Sequence, residues 1–166
     1  MVKKQLNYDK AWYALAITRI MLGFVFLWAF FDKLFGFGVS TVPAKAWLNG
    51  GSPTAGFLGT VDGPFQSLFA SIAGLGSFAD WLFMLGLLGV GVALVSGAGL
   101  RIAAVAGGLI LVLMWLASLP IKTNPFVDSH IIYASIVVVF AAAPRKLSLA
   151  NWWISLPYIK KNPWLW

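Results

Sequence analysis

Apolar residues in this chain do not alternate with polar ones; they run on in four blocks, with isolated charges at or near the block ends. The blocks cover about 11–31, 80–96, 102–119 and 126–143. Each lies close to the roughly 20 residues with which a helix crosses the hydrocarbon of a bilayer. No water satisfies backbone amides there, so runs this continuous predict helices, and the alternation of membrane barrel strands is missing. The pattern predicts a single all-α domain over 1–166, an integral membrane four-helix bundle.

The connections between blocks are unequal. Between the second and third only Ser96, Gly97, Ala98, Gly99, Leu100 and Arg101 remain, which predicts a tight helical hairpin. Gly89, Ala93 and Gly97, with Ala103 and Gly107 opposite, predict its close packing. The first connection, a long exterior loop over 36–78, is too apolar for a disordered linker and is expected to fold against the helices. Within it Ser52 and Pro53 open a short helix near 54–58, and Gly63 and Pro64 open another through Ala73. Both are too short to span, so they form interfacial helices serving as a lid, a docking surface or a plain cap. The tail over 145–166 mixes Arg145, Lys146, Lys160 and Lys161 with Trp152, Trp153, Trp164 and Trp166, a combination suited to the headgroup layer.

Composition agrees with the pattern: 60% hydrophobic and 10% charged residues exceed what a soluble core absorbs. The net charge of +7 has a topological meaning. Lys3, Lys4, Lys10, Arg101, Arg145, Lys146, Lys160 and Lys161 fall on one side and Lys33, Lys45 and Lys122 on the other. That bias predicts a multi-pass protein of the plasma membrane with both termini in the cytoplasm. The bases form no interleaved groove, so nucleic acid is not an expected partner; the lipid bilayer is. Lys3, Lys4 and Lys10 ahead of an apolar run resemble a secretory signal. The run is too long for a signal core, contains Arg19 and ends in Phe30, Phe31, Asp32 and Lys33 without a small-residue cleavage site, so it is expected to stay as the first span. The chain has no cysteine, which excludes disulfides, thiolate chemistry, cysteine-ligated clusters and covalent haem. One histidine and no glutamate leave no set for a metal, and bis-histidine haem ligation is impossible within one chain.

Candidate chemistry rests on the polar residues that a membrane makes costly. Arg19, about two turns into the first block, either snorkels to the interface, pairs inside the bundle or lines a site. Lys33 lies within about 40° of the same helical face, with Gly23, Phe26 and Phe30 between, a stripe suited to an anion or a quinone. Asp80, three residues after Ser77, fits a capping box. Asn124 and Pro125 open the fourth helix and place Asp128 in its first turn, where the helix dipole favours a carboxylate. His130, one turn before Tyr133, is the candidate proton carrier, or makes a structural hydrogen bond to Asp128 or Asp32. With Trp28, Trp81 and Trp115 nearby, Asp32, Lys33, Asp80, Lys122, Asn124, Asp128 and His130 are all expected at the exterior helix ends, outlining a partly cationic pocket.

At these residues the chain resembles the Dox family of four-helix membrane proteins, which includes the membrane subunit of thiosulfate:quinone oxidoreductase. The resemblance covers most of the chain. It is carried by Thr18 and Arg19 with Gly23 and Phe26, by Asp32, Lys33 and Leu34, by the segment 45–54 (KAWLNGGSPT), and by Asn124, Pro125 and Phe126 with Asp128, Ser129 and His130. It implies oxidation of thiosulfate to tetrathionate on the exterior side with electrons passing to a membrane quinone as co-substrate, and a smaller second subunit as partner. On that reaction, position and charge assign proton handling to His130, Asp128 and Asp32, substrate binding to Lys33, Lys122 and Asn124, and quinone contact to Arg19, Phe26, Phe30 and Tyr133. A noncatalytic anchor for soluble redox or sulfur-transfer partners is the alternative. A small-solute channel is a third class, requiring a homo-oligomer to form a lumen.

Overall fold

The structure, a computed structural model, describes residues 8–122 and 124–165. Lys3 and Lys4 of the charge bias and the expected headgroup-layer Trp166 lie outside them. The fold is all-helical, with no strand among the described residues. Helices α1 (Asp9–Phe35), α4 (Ser77–Ser96) and α5 (Leu100–Ala117) are long and apolar enough to cross a membrane, which marks the chain as a membrane protein. The fourth apolar helix, α6 (Ser129–Ala142), has 14 residues. At 1.5 Å per residue it rises about 21 Å, short of the roughly 30 Å hydrocarbon core.

The start of α6 departs from expectation for a local reason. Asn124 Oδ1 accepts the backbone N–H groups of Phe126 and Val127 at 3.0 Å each, and this side-chain turn holds 125–127 out of the helix. Asp128 is therefore the N-cap, accepting from Ile131 N–H at 3.1 Å, and does not sit in the first turn.

Helix α1 lies along α4, α4 along α5 and α5 along α6, while α1 and α6 touch over a shorter stretch. One core joins all four through Leu22 and Phe26, Met84, Val90 and Leu94, Ala103 and Leu111, and Val137 and Phe140. Lipid tails are as apolar as leucine, so close packing must hold such helices together. Glycines supply it. A Cβ on Gly23 would stand 2.8 Å from Val95, and one on Gly91 2.8 Å from Leu27, making the seam between α1 and α4 reciprocal. Between α4 and α5 the close approaches are Gly107 against Val90 and Gly86 against Ile110. Gly89, expected there, faces open space. The stripe from Arg19 through Gly23 and Phe26 is thus filled by neighbouring helices.

The expected hairpin is present, with α4 and α5 joined by 97–99. Gly97, at φ +71°, lets the chain turn against Arg19, because a Cβ there would collide with the Arg19 guanidinium and with Ser148. The guanidinium is buried, 3% exposed, and donates to the carbonyls of Leu94 at 2.6 Å, Leu147 at 2.7 Å and Lys146 at 3.3 Å. The Leu94 carbonyl is an orphan of the last turn of α4, since Ala98 N–H goes to Ser96 Oγ instead. A cation at a helix C-terminus also complements the helix dipole. Arg19 thereby ties α1, the end of α4 and the segment after α6 into one knot at what is here the tail end of the molecule.

Beyond that knot, α7 (Ala150–Ser155), α8 (Pro157–Lys161) and a final turn (Pro163–Leu165) fold back on the hairpin. Leu149 N–H bonds the Ser96 carbonyl, Arg101 Nη1 the Pro163 carbonyl and Trp153 Nε1 the Leu165 carbonyl. Trp153 thus spends its indole N–H internally, whereas Trp152 and Trp164 are exposed. Asp9 accepts from Lys146 at 3.0 Å, and this hydrogen bond holds the Lys146 ammonium above its ordinary value.

Candidate functional site

The opposite end of the molecule, the loop end, is where the expected polar residues gather. The loop over 36–78 folds against the helices as anticipated: α2 (Ala55–Leu58) and α3 (Gln66–Ala73) bury Leu58, Val61 and Phe69 against Leu113, Leu116 and Ala117 of α5. Ser52 Oγ accepts from Ala55 N–H at the start of α2, the bond its position before Pro53 predicts. Trp47 crosses Trp81 edge-on with centroids 4.6 Å apart, joining the loop to α4.

Two buried carboxylates anchor this loop. Asp32 accepts from Val39 N–H, Ser40 N–H and Ser40 Oγ, so both its oxygens are engaged by the turn that follows α1. Asp80 Oδ1 accepts from Ser52 Oγ at 2.7 Å, Thr54 N–H at 3.0 Å and Thr54 Oγ1 at 2.7 Å. The capping-box expectation for Asp80 is overturned, since α4 has no side-chain cap and the carboxylate reaches across to the loop. Its partners lie more than 25 residues away in sequence, beyond the reach of local spacing.

Of the expected cluster, Asp128 and His130 meet directly. His130 Nδ1 lies 2.6 Å from Asp128 Oδ2, which settles its hydrogen-bond partner as Asp128 and not Asp32. An ionised carboxylate only accepts, so Nδ1 carries the proton and Nε2 is left as the exchangeable nitrogen of the neutral ring. The His130 side chain is 30% exposed. Ser118, which sequence reasoning missed, places its hydroxyl 3.3 Å from the same Asp128 oxygen and 2.8 Å from the Trp115 carbonyl. Its single proton goes to the nearer carbonyl. Trp115 Nε1 donates to the Phe126 carbonyl at 3.0 Å, tying the end of α5 to the segment before α6. The arrangement fixes an imidazole, through its Nδ1, against a carboxylate at the start of α6.

The other candidates divide by position. Tyr133 is exposed on α6 one turn after His130. Lys33 is half-buried beside Asp32; Lys122 and Asn124 are exposed, with the Asn124 amide oxygen committed to its turn. Phe26 is buried in the core and Phe30 half-buried against it. Arg19 lies at the tail end, opposite His130, so the quinone candidates Arg19 and Tyr133 do not share one site.

A cavity of about 450 Å³ opens at the loop end, lined by Ala44, Lys45, Asn49, Gly51, Ser52 and Gly56 among others. Most of its lining falls in the segment 45–54, which the sequence reading used for the resemblance and for a helix start but not as a binding site. No family model matches the chain, and no curated protein or solved structure is significantly similar to it.

Proposed function

We propose that the protein is a four-span plasma-membrane redox protein with both termini cytoplasmic, whose loop end faces the exterior and couples thiosulfate oxidation to quinone reduction. The observation that carries this reading is the pairing of Asp128 and His130 at the loop-end terminus of α6. Joining two thiosulfates through a new S–S bond releases two electrons, and a quinone that accepts them needs two protons to become the quinol. The Nε2 of the partly exposed His130 supplies one such proton at a time and is recharged from exterior water, with Asp128 stabilising the imidazolium between transfers. Tyr133, one turn further along α6, flanks the same helix where a quinone ring arriving from the lipid meets His130. Lys33 and Lys122 bring positive charge to the end at which a dianion approaches.

The test is thiosulfate-dependent reduction of a soluble quinone analogue by the protein in nanodiscs, alone and with a family small subunit. His130→Gln removes the exchangeable proton and is expected to lower turnover by two orders of magnitude, within the range of general acid catalysis. Asp128→Asn keeps an acceptor at the N-cap but no longer balances the imidazolium, so the pH profile shifts as well as the rate. No turnover under either condition would sink the redox reading.

The anchor reading is favoured by one feature: the loop is pinned by Asp32 and Asp80 yet leaves Val39 and Leu48 exposed. A soluble redox protein that copurifies with the native chain, and is lost with Val39→Lys and Leu48→Lys, would select it.

A further inference from the structure

The loop-end cavity lies outside every role assigned so far, and its walls are built to stay in place. Asn49 Nδ2 donates to the Pro43 carbonyl at 2.8 Å, Gly51 N–H to the fully buried Ala46 at 3.0 Å, and Ser52 is fastened to Asp80. Such fixed walls suit a preformed site, an open depression of about 450 Å³ whose lining is exposed except for Gly51 and of which an inorganic oxyanion would fill a minor part.

Three of its lining residues are glycines, and two have structural reasons. Gly50 adopts φ +85°, and a Cβ on Gly51 would run into the Lys45 carbonyl. Gly56 has neither. It lies in α2 outside the left-handed region, and a Cβ there would meet nothing within 4 Å. Glycine weakens a helix relative to alanine, so the fold alone would favour a side chain at 56. What its absence leaves open is the cavity.

The lining carries one formal charge, Lys45, which has no ion pair among the described residues. Asp80, behind Ser52 in the hydrogen-bond chain, has its Oδ1 occupied by three donors. Asn49 keeps a second amide hydrogen, while the methyl groups of Ala44 and Ala55 and the bare face of Gly56 offer apolar surface. We infer that the cavity binds a small organic acid, its carboxylate against Lys45 and its carbon body over Ala44, Ala55 and Gly56. This inference stands apart from the redox reading, because it uses neither His130 nor the membrane-facing surface.

The experiment follows para-trifluoromethylbenzoate by fluorine NMR on the full chain in nanodiscs, with empty nanodiscs as the baseline and para-trifluoromethylbenzamide as the uncharged probe. Saturable binding of the benzoate is expected, with the amide weaker by about tenfold, the size of one charge-assisted hydrogen bond. Lys45→Gln should weaken the benzoate by a similar factor, and Gly56→Leu should abolish its binding. Both variants should keep the native melting temperature, since Lys45 is exposed and Gly56 faces open space. No saturable binding, equal binding of the two probes, or binding that survives Gly56→Leu would overturn the inference. Displacement of the benzoate by equimolar thiosulfate would also overturn it, reassigning the cavity to an inorganic oxyanion.

Discussion

Replacing Arg19 by methionine separates a buried structural cation from one that reaches headgroup water. The guanidinium gives its two short hydrogen bonds, 2.6 and 2.7 Å, to the carbonyls of Leu94 and Leu147. Charged hydrogen bonds contribute about 1.5–3 kcal/mol each, and an orphaned carbonyl costs about 1–3 kcal/mol more. Against this, methionine avoids burying a charge, an offset of about 3 kcal/mol at most. Taken at the low end of each range, for two bonds and two carbonyls, the balance is a loss of at least about 2 kcal/mol for Arg19→Met. By soluble-domain scaling that lowers the melting temperature by roughly 5–10 °C. Thermal unfolding of the purified protein in nanodiscs, followed by tryptophan fluorescence, reads the effect directly. Arg19→Lys, which reaches fewer carbonyls, should fall between. A methionine variant that melts at or above the native temperature would refute the knot and return Arg19 to the headgroup layer.

Three further outcomes follow from the same contacts. Gly97→Ala forces a side chain into the left-handed region and onto Arg19; it should cost about 1–3 kcal/mol alone and measurably less in the Arg19→Met background, because the two residues touch. Asp80→Ala frees Ser52 and Thr54, so limited proteolysis should cut near 52–58 at least about tenfold faster, a loss of more than about 1.4 kcal/mol, while a native-like rate would show that Asp80 does not hold the loop. Gly91→Leu pushes α1 off α4 at Leu27 and should lower the melting temperature or prevent assembly, whereas Gly89→Leu, facing open space, should do neither.

The helices were legible in the sequence because the bilayer leaves a continuous apolar run one solution. The hairpin at 97–99 was legible because glycine marks the left-handed turns that end α4 and begin α5. Azimuth was harder to read. Gly86 and Gly89 are three residues apart and equally small, and the contact with Ile110 that distinguishes them is tertiary. Local side-chain bonds misled at both carboxylate sites. Asn124 before Pro125 signals a helix start, yet its amide bonds the next turn and delays α6 to Ser129. Ser77 and Asp80 have the spacing of a cap, yet Asp80 is taken by Ser52 and Thr54. Topology thus predicted which end each polar residue occupies, and only Asp128 and His130, two residues apart, were close enough in sequence for their contact to be anticipated.

The absence of cysteine makes the most direct test of the membrane arrangement simple, because any introduced thiol is unique. Thr60→Cys on the exposed loop and Ser155→Cys on the exposed tail would be probed in intact cells with a membrane-impermeant maleimide. The account predicts that the thiol at 60 reacts at once and that the thiol at 155 reacts only after permeabilisation, which requires α6 to complete a fourth crossing and places His130 at the exterior face. Labelling of both positions in intact cells, or of 155 alone, would contradict it and remove the exterior site on which the proposed thiosulfate chemistry depends.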